Sequence, residues 1–149
     1  MPGEEVCEKA VEEARLTSAA KKSILNVQGF LNNSLSTKGK MNMRKPLIIQ
    51  TDFGTADGAV CAMYGVSYGV DPELRITDLT HDIPQYDIWE ASYRLIQTVN
   101  YWPEGSVFVS VVDPGVGSTR RSIVAKTTTG QYIVTPDNGT LTHVKRMCG

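Results

Sequence analysis

Cysteine and histidine are scarce in this chain. Its 149 residues include three cysteines and two histidines, without a Cys-x-x-Cys pair or a Cys/His cluster of the kind that binds zinc. Cys7, Cys61 and Cys148 are odd in number and far apart, which argues against a disulfide framework and favours reduced thiols. The sequence therefore predicts neither a disulfide-rich secreted domain nor a metal site.

Net charge and long apolar runs are also missing. The formal net charge is −1, so the chain has no broad positive field to attract nucleic acid. No apolar run is long enough to cross a bilayer, and the early acids Glu4, Glu5 and Glu8 do not suit a secretory signal. We predict a cytoplasmic globular protein that has neither nucleic acid nor a membrane as a partner.

Residues 1–43 differ in composition from the rest of the chain. They are rich in Glu, Lys, Ala, Ser and Asn, with a weak helical pattern over residues 4–20 and a linker-like stretch over 32–40. They are either an accessory helix or upstream sequence from a start codon assigned too early, and we favour the second interpretation. We expect residues 1–43 to be a helical or disordered extension and residues 44–149 to form the domain.

From Lys45 onwards, strand and helix patterns alternate. The predicted strands are Pro46–Gln50, Arg75–Leu79, Ser106–Val112 and a hairpin over residues 122–126 and 132–135. The first predicted helix is capped by Asp57 or Thr55 and runs to about Val70, and the others run from Asp87 to about Tyr101 and from Thr140 to Arg146. This alternation predicts an α/β fold, a mostly parallel sheet flanked by helices, with antiparallel pairing near the end.

Polar loops follow the predicted strands directly. They are Thr51–Gly54, Thr80–Asp82 and Asp113–Gly117. Ligands of such sheets bind beyond the carboxyl ends of the strands, so these loops are where an active site would form. An aspartate after a strand can equally serve to cap the next helix, and this placement alone does not decide between the two.

Four segments together resemble one family. They are TDFGTADG at residues 51–58, DLTHDIP at 78–84, VVDPGVGSTRRS at 111–122 and TPDNGTLT at 135–142. In this order and spacing they resemble the SAM hydroxide adenosyltransferases, relatives of the S-adenosyl-L-methionine (SAM)-dependent fluorinases and chlorinases. The resemblance covers about Pro46 to the C-terminus and does not extend over residues 1–43.

The resemblance implies hydrolysis of SAM. A nucleophile derived from water attacks the ribose C5′ and methionine leaves, whereas the halogenases use a halide ion. SAM is then the substrate, and no metal or redox cofactor is expected because the sulfonium is already a good leaving group. Members of the family are homotrimers whose C-terminal β domain and triad histidine have no counterpart in these 149 residues. We therefore expect a truncated N-terminal domain with impaired hydrolysis.

The resemblance also assigns substrate-binding residues. Asp52 matches the carboxylate that holds both ribose hydroxyls, which suits an ionised group that accepts two hydrogen bonds. Asp57, Gly58 and Ala59 match a segment against the methionine end of SAM, where helix N–H groups could meet its carboxylate. Tyr86 matches an aromatic position near the ribose and sulfonium. Simpler roles stay open: turn or cap for the aspartates, and loop filler for the tyrosine.

Asp113 and Arg120 match two members of the family's Asp-Arg-His triad. A guanidinium beside a carboxylate can orient and polarise water, although a plain ion pair or an exchange of roles with Arg121 stays open. Halogenases carry a hydroxyl-bearing aromatic residue at the position of Asp113, so we favour the hydrolase. His81 does not match the triad histidine and is predicted to be structural, and His143 is also a poor candidate.

Three other functions stay open at this point. A halogenase would yield halo-adenosine instead of adenosine. A non-catalytic module would bind SAM or adenosine without turnover, and a fragment from an interrupted reading frame would do neither.

Overall fold

The structure is a computed structural model that describes residues 45–148. The extension predicted for residues 1–43, with its helix over residues 4–20, lies outside the described residues. The strands are β1 (Leu47–Thr51), β2 (Ile76–Thr80), β3 (Val107–Val111), β4 (Ser122–Lys126) and β5 (Tyr132–Pro136). The helices are α1 (Ala59–Val70), α2 (Ile88–Thr98) and α3 (Thr142–Cys148), and a 3-10 turn, Val99–Tyr101, follows α2.

The five strands form one sheet in the order β2-β1-β3-β5-β4. β1 pairs in parallel with β2 and β3, β3 pairs in parallel with β5, and only β4 runs antiparallel to its neighbour. All five residues of β1 and of β3 are buried, as their apolar runs predict for central parallel strands. The predicted α/β fold class is confirmed.

Helices cover both faces of the sheet, because successive strand residues point to opposite sides. Leu47 and Ile49 of β1 pack in one cluster with Met63 of α1. Ile48, between them in sequence, packs in the other cluster with Leu95 of α2, and this cluster also contains Val144 of α3. The single helix α1 therefore lies on one face, and α2 and α3 lie on the other.

Several predicted helix boundaries differ from the structure. The N-cap of α1 is Gly58 rather than Asp57 or Thr55, and α3 runs from Thr142 to Cys148 rather than from Thr140 to Arg146, after Gly139 has turned the chain with a φ of +101°. The helix predicted to reach Tyr101 ends at Thr98 and tightens into the 3-10 turn, where the Trp102 N–H donates to the carbonyl of Val99. No helix between residues 45 and 148 is long and apolar enough to span a membrane.

Candidate active site

Three loops meet at one edge of the sheet. Because β1 lies between β2 and β3 and runs parallel to both, the carboxyl ends of these strands are neighbours. The loops that follow carry residues 52–58, 81–87 and 112–121, which include every predicted site residue except Ala59, the first residue of α1. The topology thus gathers residues that are distant in sequence at the edge where α/β proteins bind ligands.

Asp52 and Tyr86 are joined across two of these loops. The backbone N–H of Tyr86 donates to Oδ2 of Asp52, with an N–O distance of 2.7 Å. Tyr86 has a φ of 65°, in the left-handed region that is costly for an aromatic residue. Such conformations persist where the surrounding structure imposes them, and they cluster at functional sites. Here the unusual backbone presents an N–H to a carboxylate, while the side chain of Tyr86 stays 40% exposed.

Asp113 and Arg120 form an ion pair within the loop after β3. Nη2 of Arg120 donates to Oδ1 of Asp113, and the same oxygen accepts the N–H of Gly115 at 3.0 Å. The side chains of Asp113 and Arg120 are only 12% and 22% exposed. Nε of Arg120 is buried and has no hydrogen-bond partner among residues 45–148. The pair therefore keeps one donor available for a bound acceptor.

Gly115 makes room for this pair. A Cβ built on Gly115 would stand 1.9 Å from Nη2 of Arg120, far inside any contact distance. Only glycine at this position lets the guanidinium fold back onto Asp113. The neighbouring Arg121 is oriented differently, with a side chain that is 84% exposed and an Nη2 that lies 3.8 Å from Oδ2 of Asp137. The structure thus pairs Arg120, rather than Arg121, with Asp113.

The two aspartates influence each other electrostatically. Burial raises the pKa of Asp52 above its ordinary value, and the negative charge of Asp113 raises it further. Hydrogen bonds from the backbone N–H groups of Tyr86 and of Asp52 itself oppose this rise without cancelling it. Asp52, Tyr86, Asp113 and Arg120 thus form one group of interacting residues from three loops.

Asp57 and Gly58 end the loop that carries Asp52, and Ala59 begins α1, but none of the three makes the contacts that join that group. Oδ1 of Asp57 accepts the N–H of Ala59 at 2.9 Å, and Gly58 is the N-cap of α1. Asp57 and Gly58 are exposed. The structure shows Asp57 as a cap of the helix start, the simpler of its two predicted roles, and leaves the N-terminus of α1 facing solvent.

The two histidines occupy different places. His81 is buried, and its Nδ1 lies 2.8 Å from Oγ1 of Thr51. His143, on α3, packs its ring edge-on against Trp89 of α2 with a centroid distance of 5.3 Å. No group of three or more His, Cys, Asp or Glu side chains within residues 45–148 is arranged to hold a metal ion.

Sequence reasoning missed three supporting features. It gave no role to Gly115, no unusual backbone to Tyr86, and no contact to the turn at residues 137–139. Nδ2 of Asn138 donates to the carbonyl of Val112 at 2.8 Å, which ties that turn to the residue before Asp113. The glycine-rich pattern of residues 113–117 was the one available signal, since glycine is needed where groups approach the backbone closely.

Residues 47–148 match the family described as the SAM hydroxide adenosyltransferase N-terminal domain. The (R)-S-adenosyl-L-methionine hydrolase of Methanocaldococcus jannaschii is 40% identical over 107 residues, which are 69% of this chain and 40% of that protein. A fluorinase of Nocardia brasiliensis is more distant, 30% identical over 86 residues, which are 57% of this chain and 29% of the fluorinase.

A solved structure shares the fold. The uncharacterized conserved protein of Thermotoga maritima superposes with a TM-score of 0.67 at 37% identity, covering 69% of this chain and 39% of that one. The chain thus spans about 40% of the length of the hydrolase and of the solved structure that it matches.

Proposed function

The chain belongs to the SAM hydroxide adenosyltransferase family through that family's N-terminal domain, and we propose that its site serves the hydrolysis of SAM to adenosine and L-methionine. The observation that carries the proposal is the Asp113–Arg120 ion pair beside Asp52, at the edge where three parallel strands end. The hydrolases among the relatives are also closer in sequence than the fluorinase.

In the proposed reaction, water attacks C5′ of the ribose in line with the sulfonium. The new C5′–O bond forms as the C5′–S bond breaks, the electron pair of that bond stays on sulfur as the neutral thioether of methionine, and the water loses a proton to solvent. The leaving group is already positively charged, so the protein mainly positions the nucleophile. We propose that no cofactor takes part.

Asp113 and Arg120 are the proposed catalytic residues. Asp113 accepts a hydrogen bond from the attacking water, and Arg120 holds the carboxylate in place and offers its buried Nε–H to an oxygen of the reacting group. A halide would be repelled by the carboxylate at this position, whereas water is attracted to it. The site thus favours hydrolysis over halogenation.

The remaining predicted residues bind the substrate in this proposal. Asp52, held by the N–H of Tyr86, accepts hydrogen bonds from the ribose hydroxyls through its other oxygen. In the same proposal the ring of Tyr86 contacts the sulfonium, and Asp57, Gly58 and Ala59 bind the methionine end. The aspartates interact unfavourably with each other when the site is empty, so donors from a sugar would relieve a cost that the free protein carries.

The test is adenosine binding measured by calorimetry, together with product analysis after incubation with SAM. We expect Asp52→Ala to weaken adenosine binding by about 10-fold or more, the loss expected when hydrogen bonds to a charged group are removed. Arg121→Ala, a change of an exposed charge in the neighbouring loop after β3, is the control and should leave binding within a factor of about 2. Equal binding by wild type and Asp52→Ala would remove the proposed role of Asp52.

Assembly and location follow the family in this proposal. We propose a homotrimer for the full-length family architecture, a cytoplasmic location, and SAM as the only partner, with no role for nucleic acid or membrane. Sedimentation equilibrium of this chain, with and without SAM, tests the assembly. A mass that stays that of a monomer at every concentration would contradict a trimer formed by this domain.

A further inference from the structure

We propose that His81 is a positioning residue for Asp52, acting through Thr51 and the main chain as the neutral imidazole with its proton on Nε2. The effect of His81 on substrate binding rests on the proposed function. The positioning of Asp52 by His81 does not, because it can be measured in the ligand-free chain. His81 follows β2 and is 5% exposed, and the chemistry proposed above makes no use of it.

The ring of His81 holds the residue directly before Asp52. Nδ1 lies 2.8 Å from Oγ1 of Thr51, and Thr51 is fully buried at the end of β1. The same hydroxyl accepts the N–H of Phe53 at 3.2 Å. A hydroxyl that already accepts one N–H can donate its own proton to an unprotonated Nδ1, which satisfies both groups. A protonated Nδ1 would instead leave the Thr51 proton without this acceptor in a buried place.

The main chain of His81 holds the other end of the same turn. Its carbonyl accepts the N–H of Gly54 at 2.8 Å, and Gly54 has a φ of +69°. His81 thus contacts the turn at Thr51 and at Gly54, and Asp52 lies between these two contacts. One buried residue therefore fixes both ends of the segment that carries the proposed ribose-binding carboxylate.

The far side of the ring faces a carboxylate. Nε2 lies 3.0 Å from Oδ1 of Asp78, although the N–H does not point squarely at that oxygen, so the contact is electrostatic rather than an aligned hydrogen bond. A bare Nε2 lone pair would be repelled there, which places the proton on Nε2. The hydroxyl of Tyr64 donates to Oδ2 of Asp78. Burial and this bond raise the pKa of Tyr64, so that it stays a donor.

These contacts form one directional chain from α1 to the Asp52 turn. Tyr64 on α1 donates to Asp78 on β2, Nε2–H of His81 faces Asp78, and Thr51 donates to Nδ1. In the neutral Nε2–H form of the ring, the Thr51 hydroxyl proton lies against Nδ1 and the Nε2 proton lies against Asp78. A histidine that merely filled space would need neither this tautomer nor contacts on both sides of Asp52.

The first experiment reads the ring directly. Long-range ¹H–¹⁵N correlation spectra of the ligand-free chain distinguish a protonated from an unprotonated Nδ1. We expect an unprotonated Nδ1 and a protonated Nε2 in His81 at neutral pH. The opposite tautomer, an imidazolium, or rapid exchange between forms would overturn the inference, and none of these outcomes depends on whether the chain cleaves SAM.

The second experiment follows Asp52 through the amide that bonds to it. His81→Leu should shift the Tyr86 amide proton and weaken adenosine binding by about 10-fold, whereas His81→Asn, which keeps a polar atom near Nδ1, should recover most of both. Thr51→Val should cause at least the same loss, because it removes the contact with His81 together with the hydrogen bond from Phe53. Adding His81→Leu to Thr51→Val should cost little more, because the contact between the two side chains is already gone. If His81→Leu does not fold, the Tyr86 amide shift and adenosine binding are measured with Thr51→Val alone.

His143→Leu is the matched control, because it makes the same substitution at a histidine that packs against Trp89 on the helical face. It should leave the Tyr86 amide and adenosine binding unchanged even if it lowers stability. Equal effects of the two histidine variants, or no rescue by His81→Asn, would reduce His81 to a structural residue. Absence of adenosine binding by the wild type would count against the proposed function. The positioning of Asp52 would then be tested by the Tyr86 amide shift and the tautomer of His81 alone.

Discussion

Replacing Gly115 with alanine should separate Arg120 from Asp113. The backbone of Gly115 is not in the left-handed region, so alanine itself fits the local conformation. The added Cβ would stand 1.9 Å from Nη2 and 2.7 Å from Cζ of Arg120. Non-bonded carbon and nitrogen atoms need about 3.5 Å, so the guanidinium has to withdraw by more than about 1 Å. We expect that movement to break the present contact between Nη2 and Oδ1 of Asp113.

The cost follows from the exposure of the two side chains. Asp113 and Arg120 are mostly, but not fully, shielded from water, and Asp113 keeps its hydrogen bond from the backbone N–H at position 115. We expect the free energy of unfolding to fall by about 1–3 kcal/mol, the range for losing a charged hydrogen bond in such a setting. If the pair orients water as proposed, SAM hydrolysis should fall by about 100-fold or more.

Urea unfolding and product analysis measure the two effects. Gly65→Ala is the matched control: it lies within α1, no atom lies within 4 Å of its built Cβ, and its φ is unstrained. Alanine there should stabilise the chain by up to about 1 kcal/mol and leave turnover unchanged. If Gly115→Ala unfolded at the wild-type urea concentration and cleaved SAM at the wild-type rate, the reasoning about the ion pair would be refuted.

Three shorter predictions concern other parts of the chain. Because the pKa of Asp52 is raised on folding, its contribution to stability is fully present below the unfolded value of 3.8 and is lost as pH rises through the folded pKa. In urea unfolding measured at a series of pH values, Asp52→Asn should therefore reduce the decrease in the free energy of unfolding over that pH range. Leu95→Ala, at a fully buried position, should lower the free energy of unfolding by about 2–5 kcal/mol. Arg121→Ala should change it by less than about 0.5 kcal/mol, because its side chain is mostly exposed.

The strands were predictable because burial on both faces leaves a continuous apolar run. Leu47–Thr51 and Val107–Val111 were found within one residue of their predicted bounds for this reason. Helix ends were less certain: Asp57 looked like the first cap, but the chain turns for one more residue, and Gly58 occupies that position. Local sequence cannot decide between two adjacent capping arrangements.

The geometry of the site was only partly predictable. Asp52 and Asp113 could be named because each follows a strand. The hydrogen bond from Tyr86 to Asp52 joins residues 34 positions apart and depends on a positive φ that the residue type tyrosine does not predict. Likewise, the arrangement around His81 requires β1, β2 and α1 to be in place together. Pairwise contacts between distant segments arise from topology, and a single sequence shows them only after the fold is known.

The most direct test of the central claim is the origin of the oxygen in the product. The chain, incubated with SAM in H₂¹⁸O, should release adenosine that carries ¹⁸O at its 5′ position together with unlabelled methionine. Asp113→Asn should yield less of the labelled adenosine than the wild type, with a protein-free sample as the background. Slow turnover suffices, because mass spectrometry measures the isotope content of the product rather than the rate. Unlabelled adenosine, a halogenated nucleoside in chloride buffer, or an equal yield of labelled adenosine from Asp113→Asn would contradict the account.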